Sequence, residues 1–182
     1  MKKVLIILGL VVVFIFIFLI YSGLFTDVDI TEGEIGPYTF VGKEYVGDYR
    51  FSGDKLDSII QDLKFRKVEF EKTFGIYRDN PEKINHDSLR YMVGCIIPEK
   101  SYNKIPELER EGYIKQIMGK TPSVIVKFPL RTKVSFIMAV KKTYPKLSEY
   151  FAEKNYANVP ALEIYSKDTM LITMEIKKKD EQ

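Results

Sequence analysis

Residues 4–20 form an unbroken apolar run, and residues 21–25 extend it to a length that crosses the hydrocarbon core of a bilayer as a helix. The β-branched residues in the run are no obstacle there, because in lipid only a helix satisfies every backbone N–H and C=O within one segment. A secretory signal has a shorter apolar region that ends in small residues at alternate positions. This run instead exits through Leu19-Ile20-Tyr21-Ser22-Gly23-Leu24-Phe25, with no such site and no lipid-accepting cysteine. An uncleaved transmembrane anchor over residues 1–25 is therefore expected, with the lipid bilayer as partner of residues 4–25. Lys2, Lys3 and the amino terminus precede the span, whereas Asp27, Asp29, Glu32 and Glu34 follow it and no Lys or Arg occurs before Lys43. The positive-inside rule then keeps the N-terminus cytoplasmic and sends the rest of the chain to the periplasmic or other extracytoplasmic side.

Beyond the anchor and its exit remain about 150 residues, enough for one domain with a proper core or two small fused halves. With Lys2 and Lys3 set aside, 26 basic residues face 25 acidic ones, so the soluble part is close to neutral. That balance argues against a nucleic-acid partner, which needs a concentrated basic surface. Cys95 is the single cysteine, so no intrachain disulfide forms, and its neighbours Val93, Ile96 and Ile97 point to a buried, quiet thiol. His86 is the single histidine, which removes His-based metal clusters and the Ser-His-Asp arrangement; beside Asn85 and Asp87 it reads as a solvated loop residue. No metal and no cofactor are expected. The stretch Gly36 to Glu44 superficially resembles a phosphate loop, but its glycines are six apart and Glu44 stands where a metal-binding hydroxyl belongs. It reads as a strand.

Strand-forming aromatics mark residues 38–46 as a strand between two glycine turns. Leu56, Ile59, Ile60 and Leu63 then recur at helical spacing, with Ser52 or Asp54 as cap. Residues 72–78 and 88–97 read as strands stopped by Asp79-Asn80-Pro81 and by Pro98. A short helix near 106–111 precedes strands at 113–118 and 123–128, and the intervening Gly119-Lys120-Thr121-Pro122 reads as a hairpin turn. Thr132 caps a second long helix with Val134, Ile137, Met138 and Val140 on its apolar face and a bend or break at Tyr144-Pro145. Residues 161–165 and 169–176 close the chain as a hairpin over Ser166-Lys167-Asp168. The fold class is α+β: an antiparallel sheet with two long helices on one face, preceded by one transmembrane helix.

Within the strand Ala161-Leu162-Glu163-Ile164-Tyr165, alternation sets Leu162 and Ile164 on one face and Ala161, Glu163 and Tyr165 on the other. An acid and a phenol are thus aimed together, on this reading away from the helix-packed core, as the beginning of a ligand cleft. In Thr73-Phe74-Gly75-Ile76-Tyr77, Gly75 and Tyr77 share a face, and the missing side chain at Gly75 leaves room for something to approach the sheet. The plain alternative is a half-exposed carboxylate facing water.

The blocks Tyr21-Ser22-Gly23-Leu24, Gly75-Ile76-Tyr77-Arg78-Asp79-Asn80-Pro81, Val93-Gly94 with Ile96-Ile97, and Leu162-Glu163-Ile164-Tyr165 resemble, in order and spacing, the testis-expressed ER-phagy receptor family of the gyrase-inhibitor-like (GyrI-like) superfamily. The resemblance implies duplicated strand-helix-strand-strand (SHS2) modules related by a pseudo-twofold, with a ligand cleft between them. It divides the chain into an anchor (1–25), a linker (26–36), a GyrI-like domain (37–177) and a charged tail (178–182). In such domains the acid of the last motif lies in the cleft. Carried over, Glu163 leads the site, with Tyr165, Tyr77 and Tyr91 as aromatic walls for a flat or cationic guest. Autophagy receptors of this family carry a long tail with an aromatic-x-x-aliphatic motif and face the cytosol; this sequence ends at Gln182, so a short, tail-less, bacterial-type member is expected.

The leading expectation is a membrane-anchored module that binds a small hydrophobic or cationic ligand, without catalysis. If it is an enzyme, a hydrolase of strained small molecules, Glu163 is the general base. A receptor or adaptor with a protein partner is the third reading. Deep enclosure of Glu163 favours the first two, and an open sheet face the third.

Overall fold

A computed structural model describes residues 1–179. Helix α1, Lys2–Tyr21, is long and apolar enough to cross a membrane, and its 20 residues rise about 30 Å. The expected linker, 26–36, holds a strand, β1 (Ile30–Ile35). Its own side chains leave little signal: Thr31, Glu32, Gly33 and Glu34 are all exposed, and the strand exists because it pairs with Val126 to Thr121 of the strand introduced below as β6. Of the expected tail, Lys178 bridges to Tyr156, and residues 180–182 lie outside the described part.

The chain continues as β2 (Tyr38–Val46), α2 (Ser52–Phe65), β3 (Lys72–Tyr77), β4 (Arg90–Ile96), α3 (Ile105–Arg110), β5 (Ile114–Met118), β6 (Thr121–Pro129), α4 (Lys133–Glu153), β7 (Ala161–Tyr165) and β8 (Thr169–Glu175). All eight strands form one antiparallel sheet in the order β1-β6-β8-β7-β3-β4-β2-β5. Strands β7 and β8 are the expected hairpin. Strands β5 and β6 are not: β5 pairs with β2, and β6 pairs with β1 and β8. The Gly119-Lys120 connection therefore passes from one edge of the sheet to the far side, and Gly36-Pro37 does the same between β1 and β2. Two such short connections require the sheet to curl until its edges approach. The inner face of the curl packs on itself through Ile35, Phe40, Phe74, Ile76, Met92, Ile96, Leu162 and Ile164.

Helices α2 and α4 cover the outer face. Helix α2 packs as its spacing predicts: Ile59 and Leu63 are buried against Val41, Val93, Cys95 and Ile97, with Leu56 and Ile60 at the margin. Neither Ser52 nor Asp54 caps it, since the capping position is Phe51. Helix α4 starts on the expected Thr132, in a capping box with Ser135, and runs unbroken through Pro145. Its buried stripe is Ser135, Ala139, Thr143, Leu147 and Phe151, four residues apart, and Ile137 is 53% exposed. Of the expected positions Val134, Ile137, Met138 and Val140, Met138 and Val140 flank this stripe, partly buried against the core, whereas Ile137 does not face the sheet. Small residues at Ser135, Ala139 and Thr143 instead let the helix lie close over Val124, Val126, Phe128 and Ile172.

The exit from α1 is built into this second core. Ser22 is fully buried and accepts a hydrogen bond from Thr132 Oγ1 at 2.9 Å, and Lys142 Nζ donates to the carbonyls of Leu24 (2.9 Å) and Thr26 (2.5 Å). Gly23 turns the chain at φ +105°, where a Cβ would meet the Phe128 ring at 3.0 Å, and Val28 then enters the core.

Leu63 has no exposed surface in the α2 core, so Leu63→Ala removes buried methyls and leaves a cavity. A loss of about 2–5 kcal/mol is expected in denaturant unfolding. A loss no larger than that of an exposed α2 substitution contradicts the packing of α2.

Candidate functional site

Strands β3 and β7 are neighbours at the centre of the sheet, with Gly75 opposite Glu163 and Tyr77 opposite Ala161. Glu163, Tyr165, Gly75 and Tyr77 share one face, as expected, but that face lies under the helices, contrary to the expectation. Leu162 and Ile164 face the inner core of the curled sheet. Both faces of the central strands are covered, so apolarity alone does not tell which one the helices take.

Glu163 is 2% exposed. Tyr144 of α4 donates to its Oε1 at 2.5 Å and Tyr165 donates to its Oε2 at 2.5 Å. Tyr165 OH lies 3.2 Å from Tyr77 OH, which lies 3.1 Å from Ser52 Oγ at the start of α2. A phenol has one proton, and that of Tyr165 is given to Glu163. Tyr77 therefore donates to Tyr165 and Ser52 donates to Tyr77, so the chain of hydroxyls points its protons at one carboxylate. The relay ties α2, β3, β7 and α4 together. Gly75 makes it possible: a Cβ there would lie 2.8 Å from the ring of Tyr77, so the room it leaves is filled by that ring.

Burial raises the Glu163 carboxyl to about 7, and the hydrogen bonds from Tyr144 and Tyr165 only partly oppose it. No Lys, Arg or His contributes an opposing charge. The phenols of Tyr144 and Tyr165 are pushed up, first by burial and then by the neighbouring carboxylate.

Tyr91, expected as a wall, does not reach Glu163. It stacks on Tyr77 with centroids 6.3 Å apart and on Tyr45 at 5.5 Å, so it forms a second layer behind the relay. Tyr49 meets Tyr77 edge-on at 4.8 Å, and Phe136 lies 5.7 Å from Tyr165. Surface cavities lie among the described residues on both faces of the sheet. One, of about 440 Å³, lies beside Tyr45, Tyr91, Arg78 and Arg90; the other, of about 360 Å³, lies over Phe40, Ile76 and Leu162 on the inner face. Glu163 lines neither. His86 is 61% exposed in its side chain, and Cys95 is fully buried with its thiol pushed up to about 12 by burial.

This chain is similar to the testis-expressed protein 264 homolog of Mus musculus. The two are 32% identical over an alignment of 157 residues that covers 81% of this chain and 48% of the relative; the Homo sapiens protein is 31% identical over an alignment of the same length and coverage. The chain thus spans about half the length of these curated relatives. No family model matches it. Among solved structures, the EcmrR C-terminal domain has a TM-score of 0.58 at 13% identity, covering 83% of this chain and 98% of that one. EcmrR also matches within a complex with DNA, at a TM-score of 0.58 and 13% identity over 97% of this chain and 68% of that one. SAV2435 bound to tetraphenylphosphonium has a TM-score of 0.57 at 10% identity, covering 85% of this chain and 97% of that one. At these identities the structures share the fold.

Tyr144 and Ser52 are site residues that spacing does not reveal. Both come from helices, and which helical residue overhangs a strand depends on the docking of the helix. The only local sign was Tyr144 standing directly before Pro145, which suggested a bend.

An unfolded Glu163 titrates near 4.5 and the folded one near 7, so between these values the folded state holds a proton that the unfolded chain has released. The stability linked to this group is complete below about pH 4.5 and lost as pH rises through about 7, on the order of 3 kcal/mol in all. Unfolding free energy of the wild type should fall between about pH 5 and about pH 8, and that of Glu163→Gln should stay nearly flat. Parallel profiles contradict the assignment.

Proposed function

We propose that this chain is a single-pass membrane-anchored protein with a GyrI-like domain that takes a small hydrophobic cation at Glu163. The observation that carries the reading is a carboxylate, 2% exposed, whose partners are two phenols and no cation. An uncompensated buried carboxylate is costly, and a bound cation supplies the missing charge while the surrounding tyrosine rings offer their faces. A similar fold occurs in a protein solved with tetraphenylphosphonium, an apolar cation. Because Glu163 is enclosed, the guest displaces Tyr144 or Tyr165 as it enters.

The pairings support a duplication. The units β2-α2-β3-β4 and β6-α4-β7-β8 have the same connectivity, each sheet half runs in the same order, and the halves meet at β3 and β7. We read these as the SHS2 modules, with the domain extending over 37–177 and β1 added to its edge. Helix α1 is the anchor, and Lys2 and Lys3 keep the N-terminus cytoplasmic and the domain extracytoplasmic.

A second reading rests on the same carboxyl. A value near 7 suits a general base that activates water, as the hydrolysis of a small strained molecule requires. The adaptor reading, drawn from similarity to testis-expressed protein 264, has no open sheet face to support it.

Tetraphenylphosphonium and tetraphenylborate have nearly the same shape and opposite charge. The cation is expected to raise the melting temperature of the detergent-solubilised chain and the anion not to, with the shift lost in Glu163→Gln. Equal shifts in wild type and variant would place the cation elsewhere.

Topology is read separately. With Cys95→Ser in place, Glu34→Cys should react with an impermeant thiol reagent in intact cells. Reaction only after lysis reverses the orientation.

A further inference from the structure

Helix α4 carries apolar residues that the sheet does not cover. Val134 and Ile137 lie outside the core that takes up Met138 and Val140, and Ile137 is 53% exposed. Residues 131–148 also contain Arg131, Lys133, Lys141, Lys142 and Lys146 and not one acid. Apolar side chains flanked by long cationic ones are the composition of a helix that lies in a lipid–water interface, with lysines reaching the headgroups.

The position of α4 relative to α1 carries the argument further. Its cap touches the end of the span: Thr132 Oγ1 donates to Ser22, Arg131 Nη1 donates to the carbonyl of Tyr21 at 3.3 Å, and the Arg131 guanidinium lies 5.6 Å from the centre of the Tyr21 ring. Three turns later Lys142 still reaches the carbonyls of Leu24 and Thr26. The first half of α4 therefore runs beside the exit segment instead of rising away from it. The exit segment stays at the level of the span, because Phe25, 65% exposed, folds back against Phe16 inside the apolar run with ring centroids 6.3 Å apart. Ile137 is five residues past Thr132, about 8 Å along the helix, which is comparable with the interfacial zone beyond the hydrocarbon.

We propose that the first half of α4 is seated in the interface of the bilayer that α1 crosses, with Val134 and Ile137 toward the lipid and Lys133 and Lys141 toward anionic headgroups. The domain then sits at a fixed attitude on the membrane. This rests on the reading of α1 as an anchor.

The chain has no tryptophan, so each introduced one reports alone. The full chain is reconstituted in phosphatidylcholine–phosphatidylglycerol vesicles containing brominated phosphatidylcholine, as Phe14→Trp, Ile137→Trp or Phe51→Trp. Phe14 is within the span; Phe51, 55% exposed, follows β2, whose last residues Tyr45 and Val46 pair with Tyr91 and Arg90 of β4 at the Tyr77 end of β3. Because Tyr77 pairs with Ala161, that end lies at the opposite end of β7 from Tyr165, which Phe136 of α4 meets. Emission of the Phe14 and Ile137 variants should be roughly halved or lower, that of the Ile137 variant should also shift to the blue, and that of the Phe51 variant should be unchanged. Melting temperatures matching the wild type verify folding, and an unfolded Ile137→Trp is replaced by Val134→Trp. If only Phe14→Trp is quenched, the seat is wrong and the anchor stands. If Phe14→Trp is not quenched, the anchor reading fails and the seat with it. Quenching of Phe51→Trp equal to that of Ile137→Trp overturns this orientation of the domain.

Discussion

A carboxylate buried at the seam of two half-sheets, with no positive charge beside it, is the constraint around which the domain is arranged. Isolated in an apolar interior, a charged carboxylate would cost more than a domain of this size can spare. Here the cost is reduced in two ways. The proton is held more tightly, so that the group titrates near 7, and hydroxyl protons from Tyr144 and Tyr165 are turned onto its oxygens. Each device depends on another part of the fold. Tyr144 reaches Glu163 only if α4 crosses β7, Tyr165 gives its one proton to Glu163 and so accepts from Tyr77, and the Tyr77 ring fits over residue 75 because that residue is glycine.

Features encoded by local periodicity were legible in the sequence. The α2 stripe Ile59-Leu63, the Thr132 cap, the β7–β8 hairpin and the shared face of Glu163 and Tyr165 follow from spacing over a few residues. Features that depend on long-range pairing were not. Strand β1 is polar between its two terminal isoleucines and is held by β6, and the Gly119-Lys120 turn looks like a hairpin because the signal for a reversal is local, whereas the choice of partner is made by the curl of the whole sheet. The side of the sheet that Glu163 faces was misread because Leu162 and Ile164 are equally at home in a core made by the sheet folding on itself. The Tyr144 contact belongs to the same class, being a property of how a helix docks.

Helix α4 follows its apolar pattern only in part: Met138 and Val140 pack on the core and Ile137 does not. Burial of Ser135, Ala139 and Thr143 brings the helix axis close to the sheet, at the cost of leaving Ile137 outside. An exposed apolar stripe is a liability in water and an asset at a lipid surface. Its cations do not conflict with the charge argument for orientation. The insertion rule counts residues within about 15–20 positions of a span as the chain is threaded. On the proposed seat, Arg131 to Lys146 reach the membrane only after folding.

One continuous helix thus links three things that the chain could have kept separate. Thr132 holds the end of the span, Phe136 lies against Tyr165, Tyr144 holds Glu163, and Tyr150 donates to Glu32 of the edge strand at 3.0 Å. Pro145 stands immediately after Tyr144, and having no N–H it leaves the carbonyl of Lys141 without its helical donor. The stiffness of α4 is therefore lowest next to Tyr144, one of the two phenols that the proposed guest at Glu163 would displace. The half before Pro145 is pinned through Ser22, Leu24 and Thr26, whereas the half after it is held by Leu147 and Phe151 in the core. Release of Tyr144 needs either rotation of one side chain or a small hinge at Pro145, and neither disturbs the contacts to the span. On the proposed reading, ligand entry is local while the domain keeps its attitude on the membrane.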